Sequence, residues 1–393
     1  MMENFTFSDI ICISKKKRKN TEGVITVATD SFDLREICSQ FDIETDIQSY
    51  GNGHINDTYL CETDPKFILQ RINTNVFKEP ENVMENIVNV TRFLSEKITK
   101  NGGDPKNETL TVIYTKDKKS CYTAADGNVF RMYHFIENSV SYDLVENPIQ
   151  LYYAGRAFGK FQAMLGDFSA ETLHETIKDF HNTPERVKQL ECAIENNAAN
   201  RAEYAKKEIE AALKFSKYAS CITDRMADGS VPLRVTHNDT KLNNILFDKD
   251  DNEKSCVIDL DTVMPGSALF DFGDALRFGA SSGAEDETDL DKIWFDLEKF
   301  EQFTKGFLQQ TAHCLTETEI ELLPMSVLIL TYECGTRFLA DYLNGDVYFK
   351  VHRENHNLDR ARTQLKLVED IEKKLPVMSD IVKKYVKLYT EKD

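Results

Sequence analysis

The sequence predicts an α+β fold of two lobes, a small β-rich lobe followed by a larger α-helical one. Three observations carry this. The chain has 393 residues, more than one compact core accommodates and about right for two. Hydrophobic periodicity is strand-like up to about residue 137 and helical afterwards. One stretch breaks the helical half: residues 235–262 read as a short β-hairpin. The expected division is an N-terminal extension over 1–30, a β-rich lobe over 31–137 and a helical lobe over 138–393.

Each element has a local reason. "TDIQSYGNGHINDTYLCET" reads as two strands joined by a turn containing Gly51 and Gly53, since glycine punctuates strands. "KFILQRIN" reads as a third strand. In "PENVMENIVNVTRFLSEKIT", Val83, Ile87, Val90 and Leu94 recur at helical spacing and Pro80 suits a helix start. "TLTVIYT" and "NVFRMYHFIEN" read as further strands, with a short one near Cys121 between them. Next, "PIQLYYAGRAFGKFQAML" and "ERVKQLECAIENNAANRAEYAKKEIEAALKF" are long amphipathic patterns. The chain closes in helices at about 296–312, 325–343 and 357–391, the last with an expected break at Pro376.

Composition narrows the function. The net charge is −18, from 48 Lys and Arg against 66 Asp and Glu. That argues against a general nucleic-acid binder, although a local cation can still reverse the field for a phosphorylated ligand. The nine cysteines are dispersed with no C-x-x-C pair, which disfavours a zinc ribbon and suggests reduced thiols and a cytoplasmic home. "NDT" at Asn238 is a glycosylation sequon. A glycan there would block any chemistry in the loop, which again disfavours secretion. No apolar run is long enough to span a bilayer, so neither membrane nor nucleic acid is an expected partner. The basic run Lys15–Lys19 reads as part of a solvated N-terminal extension.

The chemistry sits in the hairpin. "NILFD" and "SCVID" form two strands with "KDDNEK" as their turn. Antiparallel pairing brings Asn244, just before the first strand, close to Asp259, at the end of the second. An amide oxygen beside a carboxylate is a hard ligand pair suited to Mg²⁺. Asp239 lies at the mouth of the same loop, two residues before Lys241. Phosphoryl transfer requires positioning and charge neutralisation more than covalent chemistry. Asp239 can orient or accept the proton of an attacking hydroxyl, and Lys241 can offset developing charge. His237 is expected to brace the loop, and Asp261 to supply a second-metal or substrate carboxylate. A plain polar turn would leave Asp239, Asn244 and Asp259 unexplained together.

"HNDTKLNN" followed by "VIDLD" resembles the H-x-D-x-x-x-x-N and downstream metal-Asp pattern of the aminoglycoside phosphotransferase and choline kinase superfamily. The resemblance implies a protein-kinase-like two-lobed fold, with ATP and Mg²⁺ as cofactors. It also implies that an Asp in "FDFGDALRF" braces the catalytic loop, a role that falls to Asp271, with Asp274 the other carboxylate there. "GNGHINDTY", "FILQRIN", "VIDLDTVMPGSALFDFGDALRFGA" and "ECGTRFLADYLNGDVYFK" are similar to the N-acetylhexosamine 1-kinase branch. The likeness spans about 45–355. That branch implies a sugar acceptor, with Arg337, Tyr348 and His54 matching its sugar-contacting residues.

The nucleotide lobe departs from the usual kinase text. "FILQRIN" offers Gln70 and Arg71 where a third-strand Lys is expected. Neighbouring strand residues face opposite sides, so which of the two replaces it stays open. Glu85 is either an ion-pair partner for that cation or a solvated residue. Phe135 and Ile136 in "HFIEN" resemble the inter-lobe hinge that bonds adenine. On the later helix Glu333, Arg337 and Asp341 form one stripe with apolar flanks, which suggests a cleft or a buried ion pair, and Asp341 joins the expected acceptor contacts. "HETIKDFH" lacks the second His of a zincin, and there is no P-loop or G-x-S-x-G elbow. Two other readings stand beside the sugar kinase. One is a kinase of choline, homoserine or an aminoglycoside; the other is a nucleotide-binding pseudokinase. The sequence leaves the oligomeric state open.

Overall fold

A computed structural model describes residues 32–51 and 56–391. The N-terminal extension and part of the Gly turn, including His54, lie outside the described residues. Asp33 caps the first helix, α1 (Leu34–Ser39), by accepting from the N–H groups of Arg35 and Glu36. Strands β1 (Ile47–Ser49), β2 (Asp57–Cys61) and β3 (Phe67–Ile72) form an antiparallel meander. Helix α2 (Pro80–Lys100) starts at Pro80 and buries Val83, Ile87, Val90 and Leu94, the stripe its spacing predicts. After α3 (Pro105–Glu108) come β4 (Val112–Ile113), β5 (Tyr122–Thr123) and β6 (Val129–His134). The sheet order is β1-β2-β3-β6-β4, with β5 also on β6.

The two faces of this sheet have different neighbours. Tyr59, Leu69, Phe130 and Met132 pack with Ile37, Cys38 and Phe41 around α1. Ile72, Val129 and Tyr133 join the large core through α2. Register follows the two-residue period of a strand: Thr58 lies opposite Gln70, and Gln70 opposite Arg131. These three share the α2 side, while Arg71 shares the α1 side with Leu69.

Strand β7 (Ser139–Val140) leads into the helical lobe. Helix α4 (Pro148–Met164) opens with a capping box between Asn147 and Gln150. Helices α5 (Thr183–Asn196), α6 (Lys206–Phe215) and α7 (Cys221–Ala227) precede four short strands: β8 (Arg234–Thr236), β9 (Ile245–Asp248), β10 (Ser255–Val257) and β11 (Met264–Gly266). The expected hairpin is β9–β10, which β7 extends to three strands, and β8 pairs with β11. Helices α8 (Ala268–Gly279), α9 (Leu297–Thr311), α10 (Glu317–Asn344) and α11 (His356–Thr390) complete the chain. No helix among the described residues is long and apolar enough to cross a membrane.

Three helical expectations change. The amphipathic run over 185–215 is two helices, because Asn197 and Asn200 take left-handed backbone at φ 41° and 57°, which asparagine tolerates at a helix end. Helix α10 begins well before residue 325, where Thr316 and Glu319 form a capping box. Helix α11 runs unbroken through Pro376. Val368 and Ile371 before it, and Met378 and Val382 after it, all bury in one core, and that burial offsets the lost hydrogen bond.

Candidate active site

The hairpin register brings the candidate residues together. Val257 faces Ile245, and the Ile258 N–H donates to the Asn244 carbonyl at 2.9 Å. Asn244 and Asp259 therefore end up side by side. Asp259 takes left-handed backbone, φ 58°, a costly conformation for a residue with a Cβ and one that clusters at functional sites. The Asp239 carboxylate is held from two sides: Lys241 Nζ reaches Oδ1 at 2.7 Å, and Asn244 Nδ2 donates to Oδ2 at 3.0 Å. Among the described residues no donor meets the Asn244 side-chain oxygen. Burial, then the Asp261 and Asp239 carboxylates, push Asp259 up to about 7.

A buried frame fixes this loop. Asp271, fully buried on α8, accepts from the N–H groups of His237 at 3.0 Å and Asn238 at 2.8 Å, and from Gln162 Nε2 on α4 at 2.6 Å. Burial raises its affinity for a proton, against the pull of His237 and these donors. Helix α4 is itself pinned to α9: a Cβ at Gly155 would lie 2.2 Å from the Phe303 carbonyl oxygen. Asp274 accepts from Thr240 N–H at 3.1 Å and pairs with Arg277. His237 is a brace as expected. Its Nδ1 accepts from Asp239 N–H at 3.2 Å, so the ring proton is on Nε2, which donates to the Ile258 carbonyl at 2.9 Å. Asn238 is buried, with its amide donating to Thr262 O at 2.9 Å, so the sequon is part of the loop's frame.

Several sequence expectations are corrected. Asp261 does not join Asn244 and Asp259 as a metal ligand. Its Oδ2 accepts from Asn56 Nδ2 at 2.7 Å and its Oδ1 pairs with Arg131. Arg71 lies on the α1 side, where Asp57 accepts from its Nε at 2.7 Å and Phe32 packs against the guanidinium. Gln70 faces the cleft side, but its Oε1 accepts from Arg131 at 2.9 and 3.0 Å and its amide donates to Thr58 at 3.1 Å. The buried cation is Arg131 on β6. Glu85 is exposed and bonds His174 at 2.9 Å. Its neighbour Asn86 is the buried one, donating to the carbonyls of His174 and Val263 at 2.8 and 2.9 Å.

On α10 the stripe divides. Glu333, buried, bonds His181 Nδ1 at 3.0 Å and accepts from Thr183 Oγ1 at 2.7 Å. Burial would raise it, but His181 and Arg186 hold it below the usual range. Arg337 donates to the Tyr348 hydroxyl at 3.2 Å. Asp341 is a brace and not a contact residue: it accepts from the N–H groups of Tyr348 at 2.8 Å and Phe349 at 2.9 Å, and from Asn357 at 2.8 Å. It thereby fixes Tyr348 beside Arg337. At the hinge, Phe135 N–H is spent on Lys66 O at 3.0 Å, and Ile136 O accepts from Ser139 Oγ at 2.8 Å. Among the described residues no acceptor meets Ile136 N–H.

Sequence reasoning missed Arg131, Asn56, Asn86, His181 and Arg186. Arg131 carried a signal, a lone cation in an otherwise apolar strand, "VFRMYHF". His181 and Arg186 carried none, since their burial depends on α10 packing against α5.

Known proteins share this architecture. An aminopropanol kinase associated with a microcompartment is 14% identical, with a TM-score of 0.54 over 88% of this chain and 98% of that one. An amicoumacin kinase, solved with AMP-PNP, Ca²⁺ and Ami, is 12% identical, with a TM-score of 0.56 over 87% and 94%. An aminoglycoside phosphotransferase from Alicyclobacillus acidocaldarius is 10% identical, with a TM-score of 0.58 over 92% and 99%. At such identities these likenesses establish the kinase-like two-lobed fold. The family model described as the APH phosphotransferase enzyme family matches residues 46–303. That stretch runs from β1 through the catalytic hairpin and its brace to α9, and the chain belongs to this family.

Proposed function

We propose that the protein transfers the γ-phosphoryl group of ATP to the anomeric hydroxyl of an N-acetylhexosamine. The observation that carries a transferase reading is Asp239. Its carboxylate is buried, held by Lys241 and Asn244, and stands next to Asp259. Such a carboxylate can orient a hydroxyl and take its proton as the bond to phosphorus forms. An anomeric hydroxyl is more acidic than an ordinary alcohol, so orientation is the larger part of that task. Lys241 offsets charge on the transferred group.

The donor set fits Mg²⁺. Asn244 offers an amide oxygen that meets no donor among the described residues, and Asp259 a half-buried carboxylate among like charges, both hard ligands. When bound, the ion would neutralise the nucleotide phosphates. The Ile136 N–H, which meets no acceptor among the described residues, is the donor an adenine ring would meet at the hinge.

For the acceptor, the resemblance of Arg337 and Tyr348 to sugar-contacting residues is supported by their mutual bond at 3.2 Å. The related structures named for aminopropanol and aminoglycosides favour a second reading, an amine-bearing acceptor. A cationic aminoglycoside needs open carboxylates, and choline an aromatic cage. Glu333 and Asp341 are both committed to protein donors, which favours the sugar.

The test is ADP release with Mg-ATP against N-acetylglucosamine, N-acetylgalactosamine, galactose, glucose, choline, homoserine and kanamycin, with product position read by phosphorus NMR. Phosphate on the anomeric oxygen of an N-acetylhexosamine is the expected result. Turnover with an amine alone would replace this reading with the second. Silence with every acceptor, together with tight ATP binding, would favour a pseudokinase.

A further inference from the structure

Five polar residues from four separate parts of the chain form one connected circuit between the sheet and the metal-binding segment. It runs Thr58 (β2), Gln70 (β3), Arg131 (β6), Asp261, Asn56. Gln70 Nε2 donates to Thr58 Oγ1, and Gln70 Oε1 accepts twice from Arg131. Arg131 pairs with Asp261, and Asp261 accepts from Asn56. Asn56 in turn accepts from Asn73 N–H at 3.0 Å, just beyond β3. The Arg131 and Asp261 side chains are 1% and 0% exposed. Unlike a phosphate-binding lysine, Arg131 has a protein acceptor at each of its three nitrogens: Nε and Nη2 on Gln70 and Nη1 on Asp261. Its guanidinium therefore has its effect through its partners.

We propose that Arg131 is a positioning residue that takes over the task of the missing third-strand lysine. It holds Asp261, two residues beyond Asp259, and through Asp261 and Asn56 it ties the base of the Gly-containing turn to the segment that carries the metal ligand. The cation has moved one strand sideways, from β3 to β6, and Gln70 occupies the vacated position as its acceptor. Three consequences follow from the geometry. The left-handed Asp259 is fixed from its C-terminal side by Asp261, as it is from the other side by the β10 ladder. The positive charge of Arg131 is buried against Asp261 and offsets that carboxylate's charge beside Asp259. And Asn56, which leads into β2, cannot move away from Asp261 without breaking their bond, so the sheet and the segment that carries the metal ligand are placed together.

This rests on the nucleotide-binding part of the proposed function and is independent of the acceptor. The test accordingly uses no acceptor. Calorimetry reads the affinity of the full chain for ADP in excess Mg²⁺ and in EDTA, with Tm measured alongside. Arg131→Met alone strands a buried carboxylate and risks unfolding. The informative variant is Arg131→Met with Asp261→Asn, which removes both charges. We expect its Mg²⁺–ADP affinity to fall roughly tenfold or more, as for the outer partners of metal ligands, with the EDTA affinity unchanged. Asn56→Ala leaves the ion pair intact and is expected to produce the same Mg²⁺-selective loss, smaller in size. Arg131→Lys keeps the charge without the fork and is expected to fall between. Wild-type Mg²⁺–ADP affinity in both the double variant and Asn56→Ala overturns the proposal. So does an equal loss with and without Mg²⁺, which marks a general packing role. Wild-type protein that does not bind Mg²⁺–ADP at all brings down the nucleotide reading as well.

Discussion

The catalytic hairpin and the Arg131 circuit do related work with similar residues, yet they are built differently. The hairpin collects His237, Asp239, Lys241, Asn244 and Asp259 from 23 consecutive residues. A two-strand register sets Asn244 beside Asp259, and Asp271 on α8 holds the loop that precedes them. The circuit collects Asn56, Thr58, Gln70, Arg131 and Asp261 across a span of 205 residues. It exists only after the sheet has formed and the two lobes have met. Local geometry therefore gathers the candidate catalytic residues, and long-range packing holds them in place.

The largest effect that would break this division belongs to Asp239. Asp239→Asn keeps the side-chain shape and one acceptor oxygen, so the loop should fold and ADP should still bind. Turnover is expected to fall by about 10²–10⁴-fold, the usual worth of a positioned proton acceptor. Single-turnover kinetics with Mg-ATP and whichever sugar is active would measure it. Normal turnover in this variant would remove Asp239 from the chemistry and leave the hairpin as a frame only.

Asp271 comes next and probes the frame itself. Asp271→Ala leaves the His237 N–H, the Asn238 N–H and the Gln162 amide without their acceptor, all buried. Each unsatisfied buried group costs about 1–3 kcal/mol, so the expected loss of stability is at least about 3 kcal/mol. Urea unfolding followed by circular dichroism would read it. Stability within 1 kcal/mol of wild type, by the same scale, would mean that water replaces the carboxylate and that the brace is dispensable.

The contrast also explains what the sequence could convey. Strand and helix periods located β1 to β3, α2, β6, α4 and the β9–β10 hairpin, because each is a pattern over neighbouring residues. Asn244 and Asp259 were legible as a pair for the same reason: antiparallel register is local. Arg71, Glu85, Asp261 and Asp341 were candidates by position in a motif or stripe, and the structure gives each of them a protein partner that the motif does not contain. Position along a chain does not say which side of a sheet a residue faces, nor which donor arrives first from elsewhere. Asp261 is two residues from Asp259, but Asn56 and Arg131 approach it from the other lobe. Pro376 makes the same point for the fold, since its helix is held by packing that no local rule contains.

Arg337 offers a moderate effect on the acceptor side. Arg337→Ala removes the partner of the Tyr348 hydroxyl while Asp341 still fixes the Tyr348 backbone. A hydrogen bond to a charged group is worth about 1.5–3 kcal/mol. The acceptor KM should therefore rise roughly tenfold or more, with the ATP KM unchanged. A rise in the ATP KM instead would move Arg337 out of the acceptor site.

The smallest effects are the sharpest check on the comparison. Kinase-like text offers Arg71 as a candidate phosphate cation and Glu85 as its ion-pair partner, and the structure pairs both elsewhere. Arg71 pairs with Asp57 at the half-exposed α1 face, and Glu85 bonds His174 at the surface. Exposed pairs of this kind contribute about 0–1 kcal/mol. Arg71→Gln and Glu85→Gln should thus leave the Mg²⁺–ADP affinity within about fivefold of wild type, an interval set by that energy. The Arg131→Met, Asp261→Asn double variant, one strand away from Arg71, should not. If Arg71→Gln lost affinity and the double variant kept it, the β3 strand would have to turn over on nucleotide binding. Its two-residue period makes that costly, because Leu69 would leave the α1 core together with Arg71.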